Sequence, residues 1–312
     1  MNKAVLLRLH RWISLVFALP LLVVIGTGLV LSFQPIAQSV AVVPGSLTAE
    51  RLDGMIRQHD PAGKARGLVV NARDGVLTLA GVGPDGEIDV DLASGAETER
   101  ETFLSDLFSS ARRLHQRLVF GMGWLVTAST VAMLVLAALG VLMGLPRLRN
   151  DLGGWHRGMA WFTLPLVILS PLTGLMLAFN FNPGAPSGQR ARAAPLSLIE
   201  ATRLVASSRD PATILSIGTR GGRMMARVLE GGETRAYSLT RDGLSPLPRG
   251  WPRLIHEGVW NAWIAGGLNI LTSLVSLGLL GTGLVIWARR SLRMRGRRAA
   301  LAAPASTARS IA

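Results

Sequence analysis

The chain has no cysteine and a single tyrosine. Without cysteine there are no disulfides, no zinc–thiolate or iron–sulfur centre, no covalently attached c-type haem and no cysteine nucleophile. Charge is scarce too, at 17% of 312 residues against about 25% in average soluble proteins. Glycine-rich phosphate loops of the Gly-x-Gly-x-x-Gly or Walker kind are missing, which leaves no visible nicotinamide, flavin or nucleotide domain. What is present is apolar: 49% of residues, with a mean hydropathy of +0.37. That balance argues against a disordered chain, a coiled coil or an ordinary soluble enzyme.

Four stretches carry no charged residue: Trp12 to beyond Phe33, Leu118 to Pro146, Gly158 to beyond Phe181, and Gly258 to Ala288. Each exceeds the about 20 apolar residues needed to cross a bilayer. The first follows Lys3, Arg8 and Arg11, but its apolar core is longer than the roughly 7–15 residues of a signal peptide, so it reads as an uncleaved helix. Net charge is +14, and its location matters more than its size. Residues 1–11, 146–157 and 289–312 hold 13 basic residues and one acid, while the rest of the chain holds 20 and 18. Basic residues gathered on one side of the spans are the positive-inside pattern, with both termini cytoplasmic. A nucleic-acid partner is therefore not expected.

The resulting organisation is residues 1–34 as the first membrane helix with its cytoplasmic N-terminus, 35–113 as an outer segment, and 114–146 as the second helix. A cytoplasmic loop, 147–155, leads to the third helix, 156–181. A second outer segment, 182–254, precedes the fourth helix, 255–288, and a basic tail, 289–312, is expected to lie disordered on anionic lipid. In the second outer segment basic residues outnumber acidic ones, and in the first the reverse holds.

The chain also repeats itself. Leu9-His10-Arg11-Trp12, Leu19-Pro20-Leu21 and Thr27-Gly28-Leu29 in the first helix are answered by Trp155-His156-Arg157, Leu164-Pro165-Leu166 and Thr173-Gly174-Leu175 in the third. His115 and His256 open the second and fourth, with Gly140 and Gly281 at the same offset. The outer segments match as well. Thr48 is a helix N-cap before Asp60-Pro61, and Ser197 with Glu200 is a capping box before Asp210-Pro211. Short alternating runs follow at 67–70, 76–80 and 87–92, and at 214–217, 224–229 and 236–239. The fold class expected is a membrane α-helical protein. It is a four-helix transmembrane bundle from a tandem duplication, with two small α+β outer segments, each one helix on a small antiparallel sheet.

Of five histidines, four stand at the starts of the four helices. By topology His10 and His156 share the cytoplasmic side, and His115 and His256 the outer side. A b-type haem needs only two neutral imidazoles, so two layers of two histidines suit two haems. Ionisable groups at membrane depth are costly and functional by default. Arg11, Arg157 and Arg113 adjoin these histidines and are candidates for pairing with haem propionates. Gly26 and Gly28 would relieve space beside the outer layer, Gly140 and Gly144 beside the inner. A histidine with arginine and tryptophan at a helix end is also ordinary interfacial chemistry, and glycines in membrane helices also serve plain packing. Trp12, Trp124, Trp260 and Trp263 read as an interface belt, and His59 as a solvated helix end.

The Leu-His-Arg-Trp opening, the Thr-Gly-Leu ending of the first helix, the turn Asp91-Leu92-Ala93-Ser94-Gly95 and Arg113-Leu114-His115 before the second span resemble the PepSY-associated transmembrane family over nearly the whole chain. The resemblance implies PepSY-like outer segments in the periplasm and a bacterial inner-membrane di-haem b protein that reduces ferric siderophores. Haem iron would be held through His10, His115, His156 and His256. The partners implied are a ferric siderophore, a cytoplasmic or quinol electron donor, and the lipid bilayer. Two other readings stay open: a haem-free PepSY scaffold regulating periplasmic proteins, and a quinol-linked di-haem cytochrome b.

Overall fold

A computed structural model describes residues 2–99, 102–146, 149–181 and 196–302. In chain order the elements are α1 (Lys3–Val16), α2 (Ala18–Ser32), α3 (Gln34–Ala41), α4 (Ala49–His59), β1 (Gly67–Asn71), β2 (Val76–Ala80) and β3 (Glu87–Asp91). Next come α5 (Phe103–Arg117), α6 (Gly123–Leu142), α7 (Leu152–Phe162), α8 (Leu164–Ala178) and α9 (Leu198–Ala206). The chain closes with β4 (Ile214–Arg220), β5 (Arg223–Glu230), β6 (Glu233–Thr240), β7 (Gly243–Pro246), α10 (Trp251–Glu257) and α11 (Ala262–Ala302). It is a multi-pass membrane protein. Three helical stretches are long and apolar enough to cross a bilayer: Ala18–Ala41, Gly123–Leu142 and Ala262–Gly296. Helices α7 and α8, bent by 62° at their junction, make a fourth if they count as one span.

The spans are more broken than their charge-free runs suggest, for local reasons. Proline has no N–H to donate four residues back, so Pro20, Pro35 and Pro165 each leave a carbonyl without its helical donor. The breaks at Phe17, Phe33 and Thr163 lie two or three residues before those prolines. Between α5 and α6 the backbone turns left-handed at Leu118, Phe120 and Gly121. Between α10 and α11 it does so at Gly258. His115 and His256 therefore ride on short helices that precede their spans rather than on the spans' first turns. The basic tail also differs from expectation. Helix α11 runs on through Arg289 to Ala302, and residues 303–312 lie outside the described residues, as do 182–195 of the second outer segment and 147–148 of the loop.

The chain divides into two compact units. One comprises residues 1–26, 115–172 and 272–312. There α1 packs against α6.

The other, 27–114 with 173–271, holds the sheet. The two outer segments were expected to carry separate small sheets. Instead they share one seven-stranded antiparallel sheet in the order β3-β2-β1-β4-β5-β6-β7. Its join is β1 against β4, with Gly67 opposite Gly218 and Leu68 opposite Ile217. A Cβ on Gly67 would stand 2.8 Å from the Ile217 carbonyl oxygen, so only glycine permits that approach. Merging is the physical answer to size. Each segment alone buries too little to hold itself, whereas together α4 and α9 cover one face of a common sheet. Leu52 and Ile56 of α4, Ala201 and Val205 of α9, and Leu68, Leu77, Ile217 and Val228 of the strands form that core. Burying each leucine or isoleucine contributes about 1.5–3 kcal/mol.

The caps are as read: Thr48 accepts from the Arg51 N–H at 3.2 Å, and Ser197 and Glu200 make a reciprocal capping box. Helix α9 ends at Ala206, earlier than Asp210-Pro211, and Asp210 caps a short 3-10 turn instead. Arg203 grips Asp53 with two 2.9 Å hydrogen bonds, tying α4 to α9 and holding the Asp53 carboxyl below its usual range.

Candidate functional site

Asp151 caps α7 by accepting the Gly154 N–H at 2.6 Å, which sets His156 in the second turn. Helix α1 carries His10 in its third turn. These two imidazoles, 146 residues apart in sequence, come together with ring centres 6.5 Å apart and planes at 89°. His156 Nδ1 lies 2.8 Å from Thr282 Oγ1 on α11. The Thr282 hydroxyl gives its hydrogen to the Gly278 carbonyl at 2.7 Å. With that bond made, its oxygen accepts from His156, which places the proton on Nδ1; the ring is also hydrogen-bonded to the Leu279 backbone. Next to it, a Cβ built on Gly283 would lie 3.6 Å from His156 Cε1. The His10 ring is hydrogen-bonded to the Leu136 backbone of α6. Its Nδ1 is buried with no hydrogen-bond partner, the one such side-chain atom among the described residues. An unsatisfied buried polar atom costs about 1–3 kcal/mol, so this nitrogen calls for an explanation.

The other two histidines are held in a similar manner, each within its own unit. His115 Nδ1 is 2.9 Å from the Val24 carbonyl of α2. A carbonyl only accepts, so this ring too is protonated at Nδ1. His256 Nδ1 is 3.3 Å from Thr173 Oγ1 of α8. A Cβ on the neighbouring Gly174 would meet His256 Cε1 at 3.0 Å, tighter than ordinary contact. The Asn269 side chain donates to the His256 carbonyl at 3.0 Å and fixes α10 onto the start of α11.

Three of the four rings thus have Nδ1 anchored on another helix, the kind of contact that orients a metal-ligating histidine. No cluster of three or more His, Asp or Glu suited to a bare metal ion occurs among the described residues. The donor set instead suits a group that takes two imidazoles. Two metal–imidazole bonds of about 2 Å each, with half a ring added at either end, separate ring centres by about 6 Å. The 6.5 Å between His10 and His156 fits that span, and the unpartnered His10 Nδ1 fits a missing ligand bond. By this test the residues fit haem.

The arginines singled out beside the histidines are engaged locally. Arg11 lies over the Trp12 ring at 5.9 Å, Arg157 Nε donates to the Gly153 carbonyl at 3.0 Å, and Arg113 donates to Ser109 and Ser110 on its own helix. His59 is not a solvated helix end. Its side chain is only 7% exposed, and Nε2 sits 2.8 Å from the Gly95 carbonyl, pinning the turn after β3. Of the four tryptophans expected at the interface, Trp12, Trp124 and Trp263 are more than half exposed and Trp260 is 37% exposed. The threonine partners were not foreseen. Their signal was present in the sequence: Thr-Gly-Leu occurs at 27–29, 173–175 and 282–284, and two of those threonines hold a histidine.

The profile of the PepSY-associated TM region matches residues 7–290. A search of curated proteins returns no match.

Proposed function

The chain belongs to the PepSY-associated TM region family, and from that premise and its four histidines beside the spans we propose that it is a di-haem b ferric reductase of a bacterial inner membrane. Both termini would be cytoplasmic and the sheet periplasmic, as the charge distribution indicates. Bound haem would supply one-electron carriers within the membrane. The substrate is Fe(III) in a periplasmic siderophore, reduced by one electron to the weakly held Fe(II). The donor is a cytoplasmic reductant or a quinol.

The chain's own residues prepare the ligands. Thr282 and Val24 accept from Nδ1 of His156 and His115, and Thr173 pairs with Nδ1 of His256, which fixes the three rings. Gly283 and Gly174 leave the space beside two of them. Four imidazoles are the ligand complement of two haems. The observation that carries the reading is the His10–His156 pair, two rings 6.5 Å apart with one nitrogen buried and unpartnered.

The test is a reduced-minus-oxidised spectrum of the purified protein with pyridine-haemochrome quantitation. About two haem b per chain, with low-spin α bands, and reduction of a ferric siderophore by the loaded protein are expected. No haem in protein made with ample haem sinks the reading. The interhelical His–Thr hydrogen bonds also favour a second reading, a haem-free PepSY scaffold whose histidines only join helices. It predicts no Soret band and tolerance of histidine substitution.

A further inference from the structure

Side chains alternate across a strand. On β5 Ala226 and Val228 enter the core beneath α4 and α9, so Arg227 between them stands on the opposite face of the sheet. The register carries that face across to β4. Met225 lies opposite Gly218, and Arg223 opposite Arg220. Arg227 itself is flanked by two small residues, Ser216 on β4 and Ala236 on β6. Beyond Ser216 comes Val69 of β1, which is 48% exposed. Arg227 is therefore flanked across the strands by small side chains, with Met225 and Leu229 beside it on its own strand, and is itself partly buried.

The charges around Arg227 are nearly all of one sign. Glu257 is the charge that acts on it most strongly, followed by Arg253 of α10, Arg112 of α5 and Arg220. Glu257 is already paired with Arg253 at 3.7 Å. Arg112 donates to the neutral Gln34 at 2.6 Å. Neither Arg220 nor Arg227 has a side-chain hydrogen bond or ion pair among the described residues. Burial lowers the pKa of Arg227, and the three neighbouring arginines lower it further against the pull of Glu257. A half-buried guanidinium among like charges is unfavourable unless an anion completes it.

We propose that Arg112, Arg220, Arg227 and Arg253 form a receptor for a multiply anionic ferric chelate, one whose ligands are carboxylates or catecholates, in preference to a cationic or neutral one. This rests on the reductase reading for the purpose of the site, but binding needs neither haem nor electrons. Planar guanidiniums suit bidentate contacts to the rim of a rigid complex.

The experiment is calorimetric titration of the full chain in neutral detergent with redox-inert gallium(III) complexes. Gallium(III) citrate is the anionic probe, and a cationic gallium(III) trishydroxamate is the contrast. The wild-type chain is expected to bind the citrate complex, more weakly as salt rises, and not the cationic complex. Arg227→Gln should weaken binding about tenfold or more, the scale of one charged hydrogen bond. Arg227→Lys should recover part of it. Arg57→Gln, on α4 across the sheet, should leave binding unchanged. Equal binding of both probes, equal binding of inorganic phosphate, or loss of haem rather than of citrate binding in Arg227→Gln would each overturn the proposal. In the last case the arginines would belong to the cofactor. Citrate binding by a chain that takes up no haem would keep the receptor and refute the reductase instead.

Discussion

Replacing His10 with leucine gives opposite signs under the two functional readings. If the protein carries no haem, His10 Nδ1 is a buried nitrogen without a partner. Leucine removes it while filling similar volume, and stability should rise by about 1–3 kcal/mol, the cost of an unsatisfied polar atom. For a chain of this size that is a gain of roughly 2–4 °C per kcal/mol in the melting temperature. If His10 and His156 ligate haem, the same substitution forfeits the ligand's contribution. That contribution is about 2.7–4.1 kcal/mol for haem present at 100 to 1,000 times its dissociation constant. The loss outweighs the gain over most of those ranges, so the melting temperature falls and haem per chain drops. Thermal unfolding followed by tryptophan fluorescence, with haem quantified on the same samples, reads both quantities. A His10→Leu chain that keeps the wild-type haem ratio refutes the argument, because the unpartnered nitrogen would then have nothing to do with the cofactor.

Other outcomes follow from single contacts. Gly174→Ala sets a methyl 3.0 Å from the His256 ring and Gly283→Ala one 3.6 Å from His156. The first should lower stability by up to about 1–3 kcal/mol, while the second is neutral or gains up to about 1 kcal/mol of helix propensity; equal melting temperatures would count against the geometry. Thr282→Val removes the acceptor of His156 Nδ1 and should weaken haem retention about 10- to 100-fold, measured by transfer of haem to apomyoglobin. Asp74 is buried and accepts from Arg73 at 2.6 Å, Thr102 at 2.5 Å and Asn71. Asp74→Ala should cost about 3–5 kcal/mol, since it strands the Arg73 charge. Burial raises the Asp74 pKa, but the bonds from Arg73 and Thr102 outweigh it and the net shift is downward. Its stabilising share is therefore complete above the unfolded value of about 3.9 and fades as pH falls below it, so the gap between wild-type and Asp74→Asn melting temperatures should close in acid.

Much of this architecture was legible in the sequence, and the rest was hidden for identifiable reasons. Helix caps at Thr48 and Ser197 and six of the seven strands follow from local signals, because capping and alternation act over a few residues. Strand β7 was not read: Gly243-Leu244-Ser245-Pro246 is too short and too broken by glycine and proline to alternate. The joining of β1 to β4 was beyond reach, because register between strands far apart in sequence leaves no local trace. Among the histidines, the place of each beside a span could be read from spacing. The Thr282 and Thr173 partners could not, because they depend on how one helix is rotated against another. The prolines that break the spans were visible as repeats, but their consequence lay in the hydrogen bonds they withhold.

The shared sheet also governs how the chain comes into being. Strand β4 begins at Ile214, 143 residues after β1 ends at Asn71. At about 5–20 residues per second of synthesis, β1 waits on the order of ten seconds with one edge open. An unpaired edge is a template for the wrong neighbour, and here Gly67 leaves one position of that edge without a side chain. The first half must therefore be shielded until the second arrives, and a chain cut between them would be prone to stick to copies of itself rather than to rest as a smaller fold.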